Sequence, residues 1–156
     1  MHFAKRHKSL IDGIDVISMR SDHSFPRHTH DEFSIGVMTS RGHDCWCCRG
    51  LVAVQTGDVI GINPAEVHEG LGIKGEPRAW HMIVLSQDAI ADLTEERAEE
   101  AEFSAPVFQC PEISAAVLKA VSVAIQADAK PEELDEQLRL ICASMLRSKN
   151  GASARD

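Results

Sequence analysis

The feature that most constrains this sequence is a change of period at Ser86. From Leu10 to about Leu85 the apolar residues come in short runs broken by Gly, Pro, Asn and Asp. Residues 14–19, 33–38, 51–54, 58–62 and 80–85 read as strands separated by turns. Their regular spacing predicts a sandwich or barrel of the jelly-roll kind. No helix-length pattern interrupts them, which argues against βαβ units.

Beyond Ser86 the apolar residues recur at helical spacing. Ser86 is placed to cap a helix reaching to about Glu100, with Ile90 and Leu93 on its apolar side. Residues 103–110 contain Pro106 and read as extended. Pro111 suits the first turn of a second helix over 112–127. There Ile113, Val117, Val121 and Ile125 recur every four residues, with Ala116, Ala120 and Ala124 alongside. Pro131 opens a third helix to about Ser148, striped by Leu134, Leu138, Ile141, Cys142 and Met145. The few residues around 128–130 predict an antiparallel hairpin of these two helices. Its stripes can pack on the barrel or in part pair with a second copy; a stripe alone does not name its partner. The expected layout is a β-barrel over 1–85, a helical part of the same domain over 86–150, and a frayed tail over 151–156.

Charge sets the class of partner. Against 16 Lys and Arg stand 24 Asp and Glu, a net charge of −8. Phosphate backbones are held by clustered cations that displace counterions, so this balance argues against nucleic-acid binding by this chain alone. The basic stretch at residues 2–8 is short and reads as a solvated tail. The five cysteines are odd in number, and three of them crowd into Cys45-Trp-Cys-Cys48. That pattern suits free thiols in a reducing compartment better than a disulfide framework. With no signal peptide and no apolar run of spanning length, the expected location is the cytoplasm, away from membranes.

The strongest local chemistry lies in Phe25-Pro-Arg-His-Thr-His-Asp-Glu-Phe33. On a strand, the spacing of His28 and His30 sets both imidazoles on one face, shared with Glu32, Ser34 and Gly36. A third imidazole, His68, follows in Asn63-Pro-Ala-Glu-Val-His68. If strands bring it alongside, three neutral imidazoles with open positions suit Zn²⁺, Ni²⁺, Fe²⁺ or Mn²⁺. The same rings equally serve as hydrogen-bonding walls of a polar pocket. Glu32 and Glu66 supply carboxylates nearby, while Trp46, Trp80 and Met82 offer an apolar wall, with core packing as the plainer role for the last two.

These residues carry a family resemblance. Pro26-Arg-His-Thr-His-Asp-Glu-Phe-Ser-Ile-Gly-Val37, Arg49-Gly50 and Gly57-Asp-Val-Ile-Gly-Ile-Asn-Pro-Ala-Glu-Val-His-Glu-Gly70 resemble the N-terminal cupin domain of AraC-type transcription regulators. The stretch Phe103-Ser-Ala-Pro-Val-Phe108 and the two following helices resemble the end of that sensor domain. The resemblance implies a jelly-roll barrel holding a small-molecule effector, with homodimerisation through the helix pair. It also implies that DNA is contacted only through a helix-turn-helix domain, which this chain, ending at Asp156, lacks. His28, His30, Glu32, Glu66, His68 and Trp80 become the expected ligand-binding residues. His28, His30 and His68 are the candidate metal ligands. The wider cupin pattern has Glu four residues after the second His; Ser34 stands there, which weakens the case for a catalytic metal. The alternatives are a metal-dependent cupin enzyme, an oxygenase or isomerase with Glu32 or Glu66 as base or fourth ligand, and a dimerising scaffold with a vestigial pocket.

Two other motifs carry less. In a strand Cys45 and Cys48 fall on opposite faces, no second C-x-x-C completes a zinc ribbon, and small buried hydrophobes are the expected role. Gly70-Leu-Gly-Ile-Lys-Gly75 matches G-x-G-x-x-G but leads into Glu76-Pro77 rather than a helix, and reads as a loop near the barrel mouth.

Overall fold

The computed structural model describes residues 2–40, 43–47 and 50–149, the middle segment by its backbone alone. Along the chain run β1 (His2–Lys8), β2 (Ile14–Ser21), β3 (Phe25–His28), β4 (Phe33–Ser40), β5 (His43–Cys47), β6 (Gly50–Val54), β7 (Val59–Ile62), β8 (His68–Leu71) and β9 (Arg78–Leu85). There follow α1 (Gln87–Thr94), β10 (Ala101–Phe103), β11 (Val107–Phe108), α2 (Pro111–Ile125), α3 (Pro131–Met145) and β12 (Leu146–Ser148). One antiparallel sheet has the order β1-β2-β9-β4-β7-β11, and a second has β3-β8-β5-β6. β10 and β12 form a separate pair.

Alternation along the strands of the larger sheet divides its two faces. Ile14, Val16, Phe33, Ile35, Val37, Val59, Ile83 and Leu85 pack with Ile90, Leu93, Val117, Val121, Leu138, Ile141 and Met145 of the helices in one buried core. The opposite face joins the smaller sheet through a second cluster of Met38, Val54, Ile60, Ile62 and Trp80, with Met19, Phe25, Met82 and Val107 at its margin. The larger sheet is thus a central layer between helices and the smaller sheet. Each large side chain fully buried there contributes about 1.5–3 kcal/mol.

The entry to α1 shows how tightly this junction is made. Ser86 caps the helix, its Oγ accepting from the Ala89 N–H at 3.1 Å. Its own N–H donates to the Gly13 carbonyl at 2.8 Å. Gly13 has φ +81°, and a Cβ there would lie 2.3 Å from the Ser86 Oγ, so only glycine fits.

Three expectations change. The stretch read as a solvated tail is β1, paired along its whole length from His2 opposite Ser21 to Lys8 opposite Asp15. Its side chains are nearly all exposed, so no apolar alternation betrayed it. The first helix ends at Thr94, because Glu95 turns left-handed at φ 57°. Acids such as Glu95, Glu96, Glu99 and Glu100 oppose the negative end of a helix and do not extend it. The third helix ends at Met145, and the next three residues pair with β10, Leu146 opposite Phe103. Within the stretch expected to be extended, β11 returns to the larger sheet beside β7. The expected tail, 151–156, lies outside the described residues. Among the described residues no helix is long and apolar enough to cross a membrane.

Candidate functional site

Between the two sheets lies a cavity of about 340 Å³. Ile17 and Met19 of β2, Ile60 and Ile62 of β7, and Trp80, Met82 and Val84 of β9 line it from the larger sheet. Phe25 and His28 of β3, Val52 of β6 and His68 of β8 line it from the smaller one. The expected ligand-binding residues His28, His30, Glu32, Glu66, His68 and Trp80 all border this one cavity, as does Ser34.

The histidines reach it differently from expectation. β3 ends at His28, so His28 and His30 do not share a strand. A register shift between Phe25 and His28 loosens the strand, and His30 sits in the following loop. Hydrogen bonds turn the rings inward instead. The Nδ1 of His28 donates to the Pro26 carbonyl at 2.7 Å, that of His30 to the Glu32 carbonyl at 3.0 Å, and that of His68 to the Glu66 carbonyl at 2.9 Å. A carbonyl only accepts, so each ring holds its proton on Nδ1 and, when neutral, exposes an Nε2 lone pair. His28 and His68 are cross-strand partners with ring centroids 4.3 Å apart. His30 lies 4.9 Å from His68 and 6.2 Å from His28.

The turn carrying Glu66 is fixed from two sides. Ala65 adopts φ +62°, an uncommon conformation for a residue with a Cβ, and its N–H donates to the His30 carbonyl at 2.8 Å. The Asn63 amide donates to Glu66 Oε1 at 3.1 Å, while Asn63 Oδ1 accepts from the Phe103 N–H at 2.8 Å. Sequence reasoning missed Asn63, whose only signal was its place before Pro64 in the turn. It also missed Ile17, Met19 and Phe25. The alternation in β2 already set the first two apart from Ile14 and Val16.

Trp80 is 6% exposed and forms part of the cavity floor. Its ring meets Phe25 edge-on at 5.9 Å, and the Arg78 guanidinium lies 5.0 Å from its centroid. Met82 lines the same floor. The side chains of Trp46, Cys45 and Cys47, and all of Cys48, lie outside the described residues. Cys142 is buried in the core, and burial pushes its thiol up to about 12, which leaves it unionised. The glycine-rich stretch 70–75 forms the end of β8 and a turn closed by the Ile73–Glu76 bridge, with no helix opening from it.

Among the described residues no three His, Cys, Asp or Glu side chains are arranged to hold a metal ion. The His30 and His68 rings meet edge to face, and the His28 ring is tilted against both.

Burial lowers the pKa of His68, with His28 and His30 adding to the effect, and burial likewise lowers that of His81, which hydrogen-bonds Ser18 at 2.8 Å. Such groups bind protons more readily in the unfolded chain than in the folded one. Stability is therefore retained above the unfolded value, near pH 6.5, and lost as pH falls through the folded values. Urea denaturation between about pH 7.5 and about pH 5 is expected to show stability falling with acidification. A His68→Gln/His81→Gln double variant should flatten that slope; an unchanged slope would exclude these rings as its source.

The sequence model of the AraC-like ligand-binding domain matches residues 13–155. The chain belongs to that family. No curated protein matches it. Among solved structures, protein plu4264 of Photorhabdus luminescens is 13% identical, with 56% of this chain and 78% of that chain covered at a TM-score of 0.49. A protein with a double-stranded β-helix domain from Klebsiella pneumoniae is 15% identical, with 56% and 75% covered at 0.48. Bacillus subtilis oxalate decarboxylase, with Mn(II) centres, is 13% identical, with 55% of this chain but 25% of that chain covered at 0.48. In this AraC-like domain, then, the cavity between the sheets has an apolar floor under a mouth of imidazoles and carboxylates.

Proposed function

We propose that this chain is the effector-binding and dimerisation domain of a transcription regulator, with a small molecule held between its sheets. The observation that carries this reading is the cavity itself, in a chain of the AraC-like ligand-binding family. Its six candidate contacts are His28, His30, Glu32, Glu66, His68 and Trp80. Sensing needs a ligand that binds one state of the regulator better than another, and no bond-making residue is required. A metabolite panel tested by thermal unfolding checks it. An effector at a hundred times its Kd should stabilise the domain by about 2.7 kcal/mol. A flat response across the panel overturns the reading.

Dimerisation is assigned to the antiparallel pair of α2 and α3. On α2 the exposed residues Ala115, Leu118, Ser122 and Ile125 follow a 3-4-3 spacing, and Leu140 of α3 is 56% exposed. That is the seam one helix offers to another. Leu118→Glu is expected to convert a dimer to monomer in sedimentation equilibrium without lowering the melting temperature of the monomer. A monomeric parent protein would refute the assignment. The net charge of −8 supports a reading in which this chain senses the effector and does not itself contact DNA.

The enzyme alternative, with a divalent metal on His28, His30 and His68, is supported by one feature. All three Nδ1 atoms are anchored on carbonyls, as metal-ligating imidazoles are. Against it stands Ser34, where the wider cupin pattern has Glu. Metal analysis of untagged protein separates the readings: near-stoichiometric iron or manganese, lost in His28→Ala, would favour the enzyme.

A further inference from the structure

We infer that the ligand of this cavity is an amphipathic primary amine, its ammonium head at the mouth among His28, His30, His68, Glu32 and Glu66 and its apolar body against Trp80. The inference rests on the effector reading and specifies its chemistry.

The mouth offers acceptors. Each Nδ1 is committed to a backbone carbonyl, so each ring in its neutral form has its lone pair on Nε2, away from that carbonyl. A carboxylate, as at Glu32 and Glu66, only accepts. Among the described residues neither carboxylate has a Lys or Arg within ion-pair distance. The Glu66 carboxylate receives the Asn63 amide, and that of Glu32 lies 3.9 Å from the His30 ring. Among the described residues the one arginine bordering the cavity, Arg6, is held by Asp15 at 2.7 Å. A carboxylate or phosphate head would meet lone pairs and two like charges. An ammonium meets up to five acceptors with its three donors, and two of those acceptors are anionic.

Exposure orients the molecule. The side chains of Glu32 and His30 are 44% and 26% exposed, whereas Trp80 and Ile60 are 6% and 7% exposed. The charged head thus keeps contact with water and avoids the large cost of burying a bare cation. The body enters first and meets aromatic and aliphatic walls. At about 340 Å³ the cavity sits at the small end of ligand sites, which fits one ring or a short chain rather than a polycyclic body.

Three probes share one body and differ in the head: 2-phenylethylamine, 2-phenylethanol and 3-phenylpropionate. Calorimetric titration into the intact chain should rank the amine first, the alcohol about tenfold weaker, and the carboxylate undetectable. Glu32→Gln/Glu66→Gln, confirmed folded by its melting transition, should weaken the amine about tenfold and leave the alcohol unchanged. A carboxylate that binds as well as the amine overturns the inference, as does an amine indifferent to the double variant. If all three probes are silent while another metabolite raises the melting temperature, the amine is wrong and the effector cavity stands. If that panel is silent too, both fall.

Discussion

Phe103→Ala is expected to lower the stability of the domain by about 3–5 kcal/mol, among the largest losses any single truncation here can give. Phe103 is 1% exposed. Its ring meets Phe33 edge-on at 6.0 Å and covers Gly61, where a Cβ would come within 2.6 Å of the ring. Removing it costs the transfer energy of the ring and leaves a void that sheet and helices cannot both close. Urea unfolding should show the midpoint fall with little change in slope. Gly61→Ala alone should cost about 1–3 kcal/mol, because its methyl enters space the ring occupies. Combined, the two should cost less than their sum by at least about 1 kcal/mol, since truncating the ring vacates the methyl's position. Additive losses would show that the ring does not pack on Gly61.

The position joins two parts of the fold that are far apart in sequence. Phe103 stands on β10, whose partner β12 continues directly from α3. Its N–H is received by Asn63, whose amide holds Glu66 at the cavity mouth. The turn that carries one wall of the cavity and the strand that anchors the last helix thus share one side chain.

How much of this was legible depends on what each residue's pattern reports. Strands such as β2 and β9 announce themselves as short apolar runs bounded by turn residues, apolar on both faces because helices cover one and the smaller sheet the other, and the Pro111 and Pro131 helix starts follow from proline's fixed φ and missing N–H. β1 was not legible, because a strand whose side chains are exposed on both faces carries its information only in backbone pairing. The pair β10 and β12 was hidden for another reason: Leu146 completes a helical stripe, and only a partner strand more than forty residues away selects extended backbone for it. The histidine cluster was legible in composition and in its convergence on one cavity. The route was not. A strand alone would have set His28 and His30 on one face, but the chain leaves the strand after His28, and carbonyl contacts aim the rings. Periodicity carries no record of a side chain bonded to the backbone two residues away.

Trp80→Ala is expected to abolish ligand binding while costing about 3 kcal/mol, nearer the low end for a buried tryptophan. One side of the indole belongs to the cluster between the sheets, but part of it borders a cavity that already exists. Truncation there enlarges an open space rather than creating one, so fewer packing contacts are lost than at Phe103, which is enclosed on every side. The loss is not negligible, because Phe25 forfeits its edge contact and Arg78 its aromatic neighbour, although Arg78 keeps its 2.9 Å bond to the Ser21 carbonyl. Binding should suffer more than folding. An amphipathic ligand gains little at an exposed polar mouth and draws most of its affinity from apolar area buried on the floor, and Trp80 is the largest side chain there among the described residues. Trp80→Phe, which retains a flat apolar ring, should recover most of both properties. The decisive comparison is the ratio of the two effects, measured by urea unfolding and by calorimetric titration of the same variants. A Trp80→Ala protein that loses stability as Phe103→Ala does, yet binds ligand as the parent does, would move the ligand site away from the space between the sheets.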